Sequence, residues 1–407
     1  MVGVTISWIS TIEQDRAMPS AELLSKFADA YKIPIRELLQ DEDQHMELVS
    51  RLKIIEILLE NAHSSDAESM IKDLENHPEL SEKDRISLTL NLSECRYQQS
   101  RHDEVLSILQ PLVDSLEIIN YHDVHTLAWI RNKIGNAYTQ MQDTVNAYYN
   151  YKKALDLASR FPVFDSLAAY ITYNVGLTLR RKGRNMEAAG YLERAGHYFE
   201  QTKDMKSLAH TLFVQGIAYK NIGDHIRATD LLEQSTKIYQ TMQHYTLCHS
   251  VAVTLASSVL AEQDPNKALT ELENSLQYFE NKNDCLKVVF VISKIVTILV
   301  SINELHLCDD HLNRALKIIK DQNNQHSHEI ADFFRTFSNY LIKMKQYDHA
   351  KKYALKSSRI YDMLGMFRDE IDSLKIVVEC YKEMGDFKKA FEYQTLRNDL
   401  LENLQKE

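Results

Sequence analysis

Small and apolar residues recur along this chain at helical spacing, and their pattern repeats about every 40 residues. One unit shows it plainly: Gly135 is followed three positions later by Tyr138 and twelve positions later by Ala147. Spacings of three, four and seven residues place side chains on one face of a helix. The pattern therefore predicts pairs of amphipathic helices.

The alanine of each unit marks the period. Nine markers follow one another at intervals of 38 to 42 residues: Ala67, Val105, Ala147, Ala188, Ala228, Ala268, Cys308, Ala350 and Ala390. Seven residues after most markers stands another small residue, such as Ala154 or Ser235, which lets two helices approach closely. Larger side chains, among them Leu192 and Leu232, are expected to fill the space between the helices.

The small–aromatic–alanine spacing favours tetratricopeptide (TPR) helix hairpins, and the 40-residue period also suits HEAT-like pairs. We predict an all-α fold in which a TPR-type right-handed α-solenoid of about nine hairpins fills residues 47–407. Residues 1–40 are predicted to form a partial helix-turn-helix head, and residues 41–46 a linker. Such solenoids bind peptides and proteins on a concave groove built from the first helix of each pair.

Composition supports a helical fold. Only 10 Gly and 6 Pro occur in 407 residues, which argues against sheet folds and glycine-rich phosphate loops. The longest apolar stretch, residues 288–300, is interrupted by Ser293 and Lys294, so we predict no membrane span and a cytoplasmic protein. The five cysteines are scattered and are expected to be reduced. Histidine clusters such as His306 with His311 lack a convincing ligand set, so no metal site or cofactor is predicted.

Residues 4–39 resemble the second half of an XRE/Cro-type helix-turn-helix. Ile9, Ser10, Ile12 and Glu13 match the recognition helix, and two further segments match the closing helices: Pro19–Leu24 and Ile33–Leu39. The resemblance implies that Thr5, Ser7, Trp8 and Thr11 contact DNA. Only Met1, Val2 and Gly3 precede the match, so the first two helices are missing and this head is expected to hold DNA poorly.

Charge does not favour DNA binding by the head alone. Residues 1–40 carry four basic and five acidic side chains, and the whole chain has a formal charge of −11. Three interpretations of the head stay open at this point. It belongs to a truncated DNA-binding regulator, it has lost DNA binding, or it merely caps the solenoid.

A helix-turn-helix head joined to a TPR solenoid of 40-residue period resembles the RNPP family of quorum-sensing regulators (Rap, NprR, PlcR and PrgX), most of all its NprR branch. Residues 173–176 and 350–354 resemble repeats of that family. Phage arbitrium receptors share the same plan. The resemblance implies a short signalling peptide bound in the concave groove, which alters the solenoid or its oligomeric state.

The resemblance also implies a clamping role for Asn174, which stands in a Tyr-Asn-x-Gly context. Side-chain amides can both donate to and accept from a peptide backbone, so asparagines on successive helices suit this role. Arg131 and Arg335 are expected to receive the peptide's carboxylate or an acidic side chain. The full set of predicted peptide-binding residues is Asn174, Tyr173, Asn132, Asn136, Arg131, Tyr170, Phe213, Arg335 and Asn339.

These observations lead to a peptide-responsive transcription regulator, working as a homodimer or higher homo-oligomer because paired heads read two half-sites of an operator. An alternative is a Rap-like protein that binds a response regulator of a phosphorelay, through residues 45–120, without binding DNA. A TPR protein that acts only as a scaffold is the third interpretation. The sequence contains no nucleophile elbow, phosphate loop or HExxH motif, so we predict no enzyme.

Overall fold

The computed structural model describes residues 35–406 except 79 and 322–325, together with the single positions Lys26 and Ala30. The described residues form helices joined by turns and contain no β-strand. They divide into two compact units, Met1–Asn120 and Tyr121–Glu407. The four predicted DNA-contacting residues, Thr5, Ser7, Trp8 and Thr11, lie outside the described residues, so their role stays a prediction.

The described residues of the first unit form two helix hairpins. Its helices are α1 (Ile35–Glu60), α2 (Ser64–Leu74), α3 (Glu82–Gln98) and α4 (His102–Ile118). Helix α1 runs through residues 41–46, where we predict a linker. The physical reason is that residues 35–60 contain neither Gly nor Pro and are rich in Leu, Glu and Gln, which are good helix formers.

The second unit continues the hairpins to the end of the described chain. It comprises α5 (Val124–Gln140), α6 (Thr144–Ala158), α7 (Ser166–Arg181), α8 (Asn185–Gln201), α9 (Met205–Ile222), α10 (His225–Thr241), α11 (Tyr245–Leu255), a π-helical turn (Ala256–Leu260), α12 (Ala261–Gln263), α13 (Pro265–Asn281), α14 (Cys285–Ser301), a 3-10 turn (Leu305–Leu307), α15 (Cys308–Asp321), α16 (His328–Lys343), α17 (Tyr347–Met363), α18 (Phe367–Glu383) and α19 (Phe387–Lys406). The two helices of each hairpin pack together. Over the described residues of both units this gives nine hairpins, so the predicted all-α fold of TPR-type hairpins is confirmed.

The small residues that mark the period lie between the helices of each hairpin. All nine markers are at most 3% exposed. Ser235 and Ser357, each seven residues after a marker, are fully buried. Their Oγ atoms donate to the carbonyls of Ala209 and Ala331 in the preceding first helices, at 2.8 and 2.7 Å. The same contact therefore recurs in two hairpins, as expected of a structural repeat.

Glycines in three first helices allow the two helices of a hairpin to approach each other closely. A Cβ atom placed on Gly216 would lie 2.8 Å from Cγ of Leu232, and one on Gly176 would lie 2.8 Å from Cγ of Leu192. A Cβ atom placed on Gly135 would lie 2.6 Å from the ring of Tyr151. Because carbon atoms do not approach within 3 Å without strain, each position excludes a larger residue.

We expect Gly216→Ala to lower the free energy of unfolding by about 1–2 kcal/mol. Overpacking costs about 1–3 kcal/mol, and the better helix propensity of alanine returns part of it. Gly190→Ala in α8 is the matched control, because nothing lies within 4 Å of that position. It should raise stability by about 0.5–1 kcal/mol. Thermal melts of both variants measure the difference, and equal melting temperatures would contradict the packing argument.

Several turns between helices of the second unit end in an aspartate. Aspartates such as Asp204, Asp224 and Asp284 cap the next helix by accepting a backbone N–H. The residue directly before each of these aspartates has a positive φ, which is 91° at Gly223. No helix within the described residues has the length and apolarity to cross a bilayer.

Candidate functional site

First helices of the second unit each leave one face partly open. On α7, Tyr173, Leu177 and Arg180 are half-buried, whereas Val175, Gly176 and Leu179 point inward and are buried. Steps of three and four residues keep the open positions on one side of the helix. We refer to these half-exposed faces of the first helices as the open face.

Three asparagines that are predicted to bind peptide contact one another between α5 and α7. Nδ2 of Asn174 donates to Oδ1 of Asn132 at 2.9 Å and to Oδ1 of Asn136 at 3.2 Å. The hydroxyl of Tyr151, on α6, also donates to Oδ1 of Asn136 at 2.8 Å. We call Asn132, Asn136 and Asn174 the amide cluster. Because its members lie on successive first helices, it fixes the distance between two neighbouring hairpins.

The amide cluster keeps unused hydrogen-bonding capacity. Within the described part of the chain, Oδ1 of Asn174 accepts no hydrogen bond, and Nδ2 of Asn132 and Nδ2 of Asn136 donate none. These atoms amount to one acceptor and two donor groups. They match what an extended peptide presents, since its backbone offers N–H and C=O groups alternately.

Arg131 does not lie on the open face. It is 7% exposed, and its Nη1 donates to Oδ1 of Asn150 in the paired helix α6 at 3.3 Å. One residue along a helix is a rotation of about 100°, so Arg131 and Asn132 point in different directions. Arg131 therefore supports the hairpin from within, which differs from its predicted role of receiving a peptide carboxylate.

The predicted aromatic residues fall in different environments. Tyr170 is 41% exposed, and its hydroxyl donates to Oδ2 of Asp204 at 2.8 Å, at the start of α9. Tyr173 is half-buried among apolar side chains that include Leu208, and this burial raises the pKa of its hydroxyl. Phe213 is half-buried against the core of α9 and α10. Tyr173 and Phe213 thus have only one side available to a ligand.

Arg335 is already held by carboxylates. Its Nη2 donates to Oδ1 of Asp332 at 2.7 Å and its Nη1 to Oδ1 of Asp369 at 3.0 Å. Nζ of Lys294 donates to Oδ2 of Asp332 at 2.7 Å, which links α14, α16 and α18. Asn339, also on α16, is exposed. With its charge neutralised, Arg335 is a poor receptor for a peptide carboxylate.

Sequence reasoning missed the importance of Lys294, Asp332 and Arg180. The pattern contains a signal for Lys294, since it interrupts the most apolar stretch of the chain. A charged residue at such a place needs a partner, and Asp332 provides it from the next first helix. Arg180 carried no such signal, because it stands at the end of a helix, where basic residues are common.

Comparisons with known proteins identify relatives of the same architecture. No family model matches the chain. It is 22% identical over 302 residues to the transcriptional activator NprA of Geobacillus stearothermophilus, which covers 74% of this chain and 73% of NprA.

Solved structures show the same fold. A Rap protein complexed with competence and sporulation factor superposes with a TM-score of 0.63 at 12% identity, covering 89% of this chain and 99% of the Rap chain. The apo quorum sensor NprR from B. thuringiensis gives 0.62 at 11% identity, covering 88% and 99%. NprR in complex with its cognate peptide NprX gives 0.56 at 11% identity, covering 88% and 98%. The predicted resemblance to this group of proteins is confirmed.

Proposed function

We infer that the chain belongs to the RNPP family, and we propose that it is a receptor for a short signalling peptide that regulates transcription in response. The observation that carries the proposal is the amide cluster. Asn132, Asn136 and Asn174 are brought together on two successive first helices, where Asn136 and Asn174 are half-buried and Asn132 is buried beneath them, with one acceptor and two donor groups unused among the described residues. A peptide that pairs with them would bridge two hairpins and thereby change their spacing.

Three further features belong to the same proposal. Transcription control is supported by the similarity to NprA, which is named as a transcriptional activator. Thr5, Ser7, Trp8 and Thr11 would contact the operator, and a homodimer or higher homo-oligomer would present two heads to two half-sites. Tyr170, Tyr173, Phe213 and Asn339 would contact the peptide's side chains along the same face.

Asn174→Ala tests the amide cluster. A pool of synthetic heptapeptides is titrated into the full chain while the melting temperature is followed, since a ligand at 100 times its Kd stabilises by about 2.7 kcal/mol. We expect the parent chain to melt at a higher temperature with the pool, and Asn174→Ala to bind the selected peptide about tenfold more weakly. Asn146→Ala is the control, because Asn146 is exposed at the start of α6. Equal affinity of all three chains would rule out the cluster.

A Rap-like function is the second candidate, favoured by fold similarity to Rap proteins over 89% of the chain. It would use the helices before residue 120 to bind a response regulator. Selection of random duplex DNA by the full chain, with and without the selected peptide, separates the two. Enrichment of a sequence with two half-sites supports transcription control, and no enrichment in either condition favours the Rap-like function.

A further inference from the structure

Arg180 stands in the last turn of α7, on the open face. It lies seven residues after Tyr173 and three after Leu177, which puts the three side chains on one side of the helix. Six residues separate it from Asn174, which corresponds to about 9 Å along the helix axis and about 120° around it. An extended peptide that crosses the helix obliquely covers the axial distance in about three residues.

Among the described residues, no carboxylate pairs with the guanidinium of Arg180. Its Nε atom is buried and has no hydrogen-bond partner in the described part of the chain. Burial, together with the like charge of Arg181, lowers the pKa of Arg180 to about 10, and the Tyr173 hydroxyl opposes this shift. A buried cation without a partner is unfavourable, and a bound anion would relieve this cost.

The other candidate arginines of this unit contrast with Arg180. Arg335 is paired with Asp332 and Asp369, and Arg131 is bonded to Asn150 inside its hairpin. An arginine presents a planar fork of donors that matches a carboxylate. Of the three, Arg180 alone combines a position on the open face with a guanidinium that no carboxylate neutralises.

We propose that Arg180 selects the signalling peptide by binding one of its carboxylates, placed about three residues from the backbone segment that the amide cluster holds. The proposal rests on the peptide-receptor function and adds the chemical class of the ligand: a short peptide with a free C-terminal carboxylate or an acidic side chain near that end. The guanidinium then forms a bidentate pair with this carboxylate, in a groove shielded by Tyr173 and Leu177.

The test compares two adjacent arginines against matched peptides. The peptide selected from the heptapeptide pool is made as the free acid, as the C-terminal amide, and with each acidic side chain replaced by its amide. Arg180→Gln and Arg181→Gln remove the same charge, but Arg181 is exposed. Binding of each peptide to each full-length chain is measured by calorimetry.

We expect Arg180→Gln to bind the free acid about 10- to 100-fold more weakly, as loss of a charge-assisted pair predicts. The peptide form that lacks the recognised carboxylate should bind the parent chain and Arg180→Gln equally, which identifies whether the C-terminus or a side chain is read. Arg180→Lys should retain part of the affinity, and Arg181→Gln should match the parent chain within about threefold.

Three results would overturn the inference. One is Arg180→Gln binding all peptides like the parent chain, and another is an equal loss of affinity for every peptide form. The third concerns the free protein: removing an unpaired buried charge should leave its melting temperature unchanged or higher, so a large drop would show that Arg180 is paired. If no peptide of the pool binds the parent chain, the receptor function itself fails, which is a different outcome from binding that ignores Arg180.

Discussion

Asp332→Ala is expected to lower the free energy of unfolding by about 3–5 kcal/mol, because it removes the buried anion of an ion cluster, deprives Lys294 of its carboxylate and leaves Arg335 to the more exposed carboxylates of α18. Asp332 is 6% exposed and lies 2.7 Å from both Lys294 Nζ and Arg335 Nη2. Burial opposes ionisation of Asp332, but the charges of Lys294 and Arg335 outweigh it and hold the pKa of this carboxyl below its usual value. The carboxylate therefore stabilises three successive first helices at neutral pH.

Asp372→Ala is the matched control for that variant. Asp372 is 67% exposed and 3.8 Å from the guanidinium of Arg335, so its loss should change stability by less than about 0.5 kcal/mol. Thermal and urea unfolding of both variants measure the effect. Replacing Lys294, Asp332 and Arg335 together by Met, Leu and Met should recover most of the loss, because well-packed apolar residues often substitute for a buried ion cluster.

Acid provides a second check on Asp332. A carboxyl with a lowered pKa in the folded state stabilises above the pKa of the unfolded chain, and this contribution disappears as pH falls through the folded value. The difference in free energy of unfolding between the parent chain and Asp332→Ala should therefore be largest at pH 6–7 and should shrink below about pH 4. A difference that is small at pH 7, or constant down to pH 2–3, would contradict the ion-cluster argument.

Sequence periodicity predicted the hairpins because the contacts that define them are local and repeat. Gly216 opposite Leu232 and the buried Ser235 follow directly from the spacing within one unit. The amide cluster was predicted one residue at a time, and its assembly follows from the period, since Asn132 and Asn174 stand 42 residues apart, close to one repeat.

Contacts between hairpins were harder to predict than those within them. Lys294 contacts Asp332 across two first helices, α14 and α16, and no spacing within one unit specifies how these helices are rotated relative to each other. Arg131 shows the same problem at the scale of one residue, since a step of about 100° turns Arg131 toward Asn150 in the paired helix and Asn132 toward Asn174 in the next first helix. The acidic residues 41–43 predicted a linker, yet without Gly or Pro the helix continues through them.

Glu370→Gln is expected to stabilise the protein above pH 7 by about 1–3 kcal/mol. Glu370, in the first turn of α18, is 7% exposed, and its Oε2 atom has no hydrogen-bond partner among the described residues. Burial and the nearby charge of Asp362 raise the pKa of Glu370 to about 7. Glutamine has nearly the same shape and carries no charge, so the variant avoids the cost of burying an unpaired carboxylate.

The sign of the pH dependence makes this prediction specific. Between the ordinary glutamate pKa of about 4.3 and the raised value, the folded protein holds a proton that the unfolded chain has released, so parent stability falls as pH rises through this window. The advantage of Glu370→Gln should thus be absent near pH 4, grow steadily to pH 7, and stay constant above it. Glu379→Gln, at an exposed position of the same helix, should show no such profile. If the free energies of unfolding of both variants differ from that of the parent by the same amount from pH 5 to pH 8, Glu370 ionises normally and its burial carries no energetic penalty.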